Sequence, residues 1–183
     1  TTVAGWLEAR LGPQASEYAE WIAFHYERSD QPERALPFLE RAAERARERG
    51  SLPDARSLVE RALAKATTPE SRARLLMLTE DIATEAGEVE TRRASLEELE
   101  RLASEQADER LTAEAEYRRA HYQFQTGDLS NARAIGEQAL QRFDRLGDTS
   151  MQADVLRLLG KISQSRGDPR EALKYYRSSL PLE

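Results

Sequence analysis

His25 and His121 are the two imidazoles of the chain, and neither has a Glu-x-x-His or His-x-x-x-His partner on its helix. A metal site built between helices needs such spacing, so both are read as packed or surface-lining residues rather than ligands or proton-transfer groups. Cysteine is absent, which removes thiolate nucleophiles, thiolate metal ligands and a disulfide framework together. No G-x-x-x-x-G-K-[ST] phosphate loop occurs, so nucleotide hydrolysis is not assigned to these residues. The carboxylates are numerous, but most lie beside Arg at helical spacing, as Glu40 and Glu44 do with Arg47. Pairs of that kind belong to solvated helix faces and contribute a few tenths of a kcal/mol each. Arg92-Arg93-Ala94-Ser95 has the form of a basophilic kinase site but falls inside a helical stretch, where the match is coincidental. The expectation is a non-enzyme with no catalytic residues, no metal and no cofactor.

The elements that position these side chains are helices, punctuated at near-constant intervals. Gly50-Ser51, Gly87-Glu88, Gly127-Asp128 and Gly167-Asp168 set the glycines 37, 40 and 40 residues apart. Five residues after each, a second helical stripe begins at Ala55, Arg92, Ala132 and Ala172. Helix, tight turn, helix at this period is the signature of an α-solenoid, in which hairpins bury their apolar faces on their neighbours. The chain has 183 residues, 39% hydrophobic and 33% charged, rich in Ala, Leu, Glu and Arg and poor in aromatics, as packed helices are. The longest apolar runs, such as Leu75-Leu76-Met77-Leu78, fall far short of the roughly 20 residues a membrane span needs. Net charge is −6, with 12 basic and 17 acidic residues up to position 90 and 15 and 16 beyond it. Without clustered positive charge, nonspecific nucleic-acid binding is disfavoured. The start at Thr1, without Met or a signal-peptide pattern, reads as a piece of a longer cytoplasmic protein.

A first short helix is expected over Val3 to Leu11, ended by Gly12-Pro13, and a second from about Ala15 to Arg28. A long helix follows from Pro32 to Arg49, with Pro37 inside its first turns, then one over Pro53 to Ala66. Thr68 is placed as an N-cap with Pro69 at the first helical position. The remaining helices are Glu70 to Ala86, Val89 to Ser104, Glu109 to Thr126, Ser130 to Leu146, Ser150 to Arg166 and Pro169 to Leu180. This organisation gives an N-terminal junction or cap over 1–31 and an array over 32–183. The hairpins of the array fall at about 32–66, 69–104, 109–146 and 150–180.

Aligned on their glycines, the units share further residues. The last offers Leu156, Leu159-Gly160, Gly167-Asp168, Ala172 and Tyr176. The preceding one offers Ala120, Gly127-Asp128, Ala132, Gly136 and Ala139, and the first offers Leu39, Ala42-Ala43, Gly50, Ala55, Val59 and Ala62. This pattern resembles the tetratricopeptide repeat, with small residues where paired helices cross. The resemblance implies an all-α, right-handed solenoid of antiparallel hairpins, about nine or ten helices in all, with Gly160 against Ala172 as a close contact. The unit around Gly87 departs from the pattern, because Glu80 and Arg92 occupy the small positions; a looser or shifted crossing is expected there.

The family's binding groove, carried over by phase, selects Glu40 and Glu44, Met77 and Asp81, then Tyr117, His121, Phe124 and Gln125, then Arg157 and Lys161. The resemblance thus implies a surface acidic at one end, aromatic in the middle and basic at the other, suited to a protein or peptide partner. The competing assignment places Tyr117 and Phe124 in the core. The basic clamp of some family members is absent.

Val3-Ala4-Gly5-Trp6-Leu7-Glu8, Ile22-Ala23-Phe24-His25-Tyr26-Glu27-Arg28 and Pro32 to Leu39 resemble a junction in the STAND class of bacterial signalling NTPases, which includes the maltose-operon activator and kinase or cyclase relatives. The resemblance covers about the first 66 residues. It implies a sensing or scaffolding array whose NTPase lies elsewhere in a regulatory protein, with roles in signalling and transcriptional control. Trp6, Tyr18, Trp21, Phe24 and Tyr26 then either cap the array with a local core or dock another domain of the parent or a second copy. The main reading is a noncatalytic interaction or ligand-sensing scaffold. Two alternatives stand beside it: a homo-oligomer or homodimer joined through open solenoid ends, and a small-molecule or enzymatic site near Met77, Tyr117 and His121.

Overall fold

The computed structural model describes residues 3–11 and 17–180. Gly12-Pro13, Ala15 and the Pro181-Leu182 end lie outside the described residues. Among the described residues there are helices and no strand. The chain divides into two compact units, 1–95 and 96–183.

In the first unit α1 (Val3–Leu11), α2 (Ala19–Glu27), α3 (Leu36–Glu48), α4 (Leu52–Leu63) and α5 (Pro69–Ala86) pack in sequence, each on the next. α6 (Val89–Gln106) begins in this unit and ends in the second. The second unit continues with α7 (Glu109–Gln125), α8 (Leu129–Leu146), α9 (Thr149–Ser165) and α10 (Pro169–Ser179), again packed in sequence. The first helices of successive hairpins also touch, α3 with α5 and α7 with α9.

The helix expected from Pro32 is split. Pro32–Ala35 forms a 3-10 turn, and α3 starts only at Leu36, with Pro37 in its first turn. An α-helix running through position 37 would lose its N–H and meet the carbonyl of residue 33, so the chain restarts there.

Most boundaries are closed by their own residues. Asp108, Asp128, Asp148 and Asp168, 20 residues apart, each accept a backbone N–H three residues on, at 2.9 to 3.1 Å. Thr68 does the same for α5 at 3.2 Å. The bond from Met151, with Arg110 alongside, holds the Asp148 carboxyl below its usual range, burial opposing. Helix ends carry paired closing bonds of the Schellman type, such as Asp128 N–H to the Gln123 carbonyl at 2.9 Å and Gly127 N–H to that of Phe124 at 3.3 Å. That geometry needs a left-handed residue, and five glycines supply it; Ala107, at φ 50°, stands in the same role after α6. A Cβ in that region costs about 1–2 kcal/mol. Against the extra freedom glycine gives the unfolded chain, Ala107→Gly is expected to raise stability by about 0.5–1 kcal/mol in urea unfolding. A loss would show that the methyl group packs.

The cores are alanine-rich. In the first unit Ala42, Ala43, Ala46, Ala55 and Ala62 let helices approach around Ile22, Leu39, Val59 and Leu75. In the second, Ala113, Ala120, Ala132 and Ala139 do so around Phe143, Val155, Leu159 and Ile162. Gly136 belongs to this set, since a Cβ there would lie 3.8 Å from Ala120 and 3.0 Å from the Leu159 side chain. The atoms nearest a Cβ on Gly160 are those of the Tyr176 ring, one turn beyond Ala172 along α10, at 2.4 to 2.8 Å.

At the crossing of α5 and α6 the two misfit residues meet each other. Arg92 donates from Nε at 3.0 Å and Nη2 at 2.8 Å to Glu80 Oε1, both side chains 6% exposed. The Thr84 hydroxyl lies 3.0 Å from the same oxygen. A buried ion pair therefore fills the positions that correspond in sequence to Ala43 and Ala55, Ala120 and Ala132, and Gly160 and Ala172 of the other hairpins.

Candidate interaction surfaces

Interhelix ion pairs decide how much of the predicted surface is available to a partner. In the first unit, α3 and α5 are bridged by two of the selected acids. Glu40 accepts from Arg74 Nε at 2.9 Å, and Asp81 lies 3.9 Å from Arg47 Nη1, which also donates to Glu85 at 2.9 Å. Met77 is half-buried between them in sequence, and Glu44 is exposed. The acidic end expected from the sequence is thus partly neutralised, and its charges brace neighbouring helices.

The second unit gathers its selected residues more closely. On α7, Tyr117, His121 and Phe124 follow helical spacing and are half-buried, with Gln125 exposed at the end of the stripe. Tyr117 and Phe124 both pack against the apolar core of this unit, so each presents only part of its ring. Burial pushes the Tyr117 phenol above its usual range, the Asp154 carboxylate adding to the shift while Arg118 and Arg157 oppose it. Asp154 and Arg157 of α9 are bonded to each other, and Lys161, one turn on, is exposed. Sequence reasoning missed Asp154; its spacing of three from Arg157 was the available signal. The patch is a half-buried aromatic stripe with a charged border.

The five N-terminal aromatics do not act together. Tyr26 is fully buried, stacked on Phe38 with centroids 5.7 Å apart, and donates to Glu8 at 2.5 Å. Burial, then the bond to Glu8 and its charge, push the phenol up to about 12. It caps the core and cannot dock a partner. Trp6, Tyr18, Trp21 and Phe24 are 41 to 58% exposed. His25 sits edge-on to Trp21 and Phe24, at 5.6 and 5.5 Å, which fits the packed role expected of it.

Among the described residues, no group of three or more His, Asp or Glu could hold a metal ion, and no helix is long and apolar enough to cross a membrane. Ser95 of the kinase-like tetrapeptide is buried and donates to the Thr91 carbonyl at 2.9 Å.

Residues 111–182 match the Tetratricopeptide repeat family. The fold is tetratricopeptide-like. Solved structures agree over nearly the whole chain. The apo form of RapI superposes with a TM-score of 0.81 at 15% identity, over 97% of this chain and 67% of that one. BtubC from P. vanneervenii gives 0.74 at 19% identity, over 100% and 74%. A Rap protein complexed with Competence and Sporulation Factor gives 0.77 at 17% identity, over 97% of this chain and 51% of that one. The chain therefore spans about half the length of that Rap protein. No curated protein matches the sequence. Tetratricopeptide-like folds are typically scaffolds for protein interaction, and the helical order, Gly turns and small-residue crossings described above are those of that fold.

Proposed function

We propose that the chain is a noncatalytic protein-interaction module, and that α7 and α9 present its main peptide-binding surface through Tyr117, His121, Phe124, Gln125, Arg157 and Lys161. The observation that carries this reading is the meeting of a half-buried Tyr117 with the Asp154 and Arg157 pair of the neighbouring hairpin. A partly desolvated ring supplies binding energy, and charges at its border fix register. The exposed Lys161 favours a peptide bearing a carboxylate close to an apolar anchor. Glu40, Glu44, Met77 and Asp81 form the corresponding surface of the first unit, with less free charge because of Arg74 and Arg47.

Residues 1–31 serve as a junction or cap for the array over 32–183, supported by the burial of Tyr26, Ile22 and Ala23 in its core. The resemblance at residues 3–39 supports a place in a larger bacterial signalling protein, working in the cytoplasm. One similar structure was solved in complex with Competence and Sporulation Factor, which supports partner binding by this fold.

Selection of a displayed random 12-residue peptide library tests the reading. Enriched peptides should bind the unaltered chain and weaken at least 10-fold with Tyr117→Ala or Lys161→Glu, a loss of about 1.4 kcal/mol. Glu48→Gln, on an exposed part of α3, should leave binding unchanged. No enrichment, or peptides indifferent to both substitutions, would remove the surface from consideration.

A further inference from the structure

The exposed stripe at the start of α2 has a composition that neither its packing nor the α7 and α9 surface explains. Glu17, Tyr18, Glu20, Trp21 and Phe24 line an open cavity of about 360 Å³. Glu20, Trp21 and Phe24 share one side of α2, and Glu17 and Tyr18 precede them in the turn that leads into the helix. Trp21 is 58% exposed and Tyr18 45%. Among the described residues no cation lines the cavity, and neither Glu17 nor Glu20 forms an ion pair with any of them.

The chain itself shows what these rings accept. The Arg28 guanidinium lies over the Phe24 ring, 3.6 Å from its centroid, and Arg10 lies over Trp6 at 5.3 Å. Trp21 presents the best ring type for such a contact, and His25 meets it edge-on at 5.6 Å, which steadies its orientation. A cation above Trp21 would stand between an electron-rich face and two carboxylates, gaining from both. An anion would be repelled by both.

We propose that this cavity binds a basic side chain, arginine or lysine, of a partner polypeptide, with Trp21 and Tyr18 as the aromatic walls and Glu17 and Glu20 as the counter-charges. A polypeptide fits better than a lone cation because the cavity is larger than one guanidinium. A chain with spaced basic residues would engage both its ends.

Trp21 reports on the site once Trp6→Phe removes the other indole. Titration with capped hexa-arginine should change Trp21 emission saturably, and hexa-glutamate should not. Glu17→Gln with Glu20→Gln should weaken hexa-arginine at least 10-fold, while Glu48→Gln with Glu70→Gln, which removes the same charge elsewhere, should not. These side chains are exposed, so unchanged helical circular dichroism should accompany every variant. Equal weakening by both charge pairs would reduce the effect to general attraction by an acidic protein and overturn the proposal. So would saturation by tetramethylammonium as tight as by hexa-arginine, which would assign the site to a small cation. Light scattering that shows a dimer dispersed by Trp21→Ala would assign the surface to a second copy instead, and would likewise overturn it.

Discussion

Replacing Arg92 by Ala is expected to cost the first unit about 3–5 kcal/mol, because it leaves the Glu80 carboxylate buried without its counter-charge. Glu80→Ala should cost a similar amount by stranding the guanidinium. The pair itself, however, is a poor source of net stability. Removing two charges from water offsets most of their attraction, so an apolar pair of matching volume holds such a crossing equally well. Glu80→Leu with Arg92→Met should therefore unfold in urea near the wild-type midpoint, although each single change lowers it steeply. The interaction energy from that four-member cycle should reach several kcal/mol, well above the 0.2–1 kcal/mol of exposed pairs. Single losses under 1 kcal/mol would mean that water reaches the crossing and that the pair is only a surface contact.

Gly160→Ala and Gly136→Ala should differ in sign although both add one methyl to a buried helical glycine. Each gains about 1 kcal/mol of helix propensity. At Gly160 the new carbon would lie 2.4 Å from the Tyr176 ring, and α10 must shift or turn that ring away from α9. Overpacking of this kind costs about 1–3 kcal/mol, so the net change is destabilising. Tyr176→Ala in the same chain should remove most of the clash term and restore the propensity gain. At Gly136 the closest atom is the Leu159 Cδ2 at 3.0 Å, the far end of a side chain that can turn aside. Gly136→Ala should be neutral or slightly stabilising. Equal losses at the two positions would show that backbone, and not the Tyr176 ring, sets the limit at Gly160.

The repeat period and nearly every helix were legible from the glycine spacing, because a left-handed helix end strongly selects that residue. Ala107 escaped notice for the same reason: it adopts the conformation without the residue type that signals it. Pro37 was seen, but its effect depended on whether the preceding turn was α or 3-10, which local sequence leaves open. Glu80 and Arg92 were legible as misfits at small-residue positions. Their opposite charge, at the 12-residue separation of Ala43 from Ala55, was the further sign that they fill the crossing together. The residues proposed for an interaction surface were legible by type and not by charge state. Glu40 is neutralised by a residue 34 positions away and Asp81 by one equally distant, and only the packing of α3 on α5 makes them neighbours. Tyr26 could not be told from Trp21 because α2 is nine residues long and carries aromatics on both its faces.

The aspartate caps and paired closing bonds also bear on synthesis. In the second unit each helix end from α6 to α9 is sealed by N–H groups no more than five residues from the carbonyls they reach, and each following helix is opened by an aspartate three residues from its target. A ribosome therefore releases the information for one helix boundary as a single short stretch, with nothing awaited from the far end of the chain. At about 5–20 residues per second, a 20-residue segment emerges in one to a few seconds, far slower than helices and loops form. Each hairpin can close on the one before it while the next is still being made, which limits how long any apolar face waits exposed.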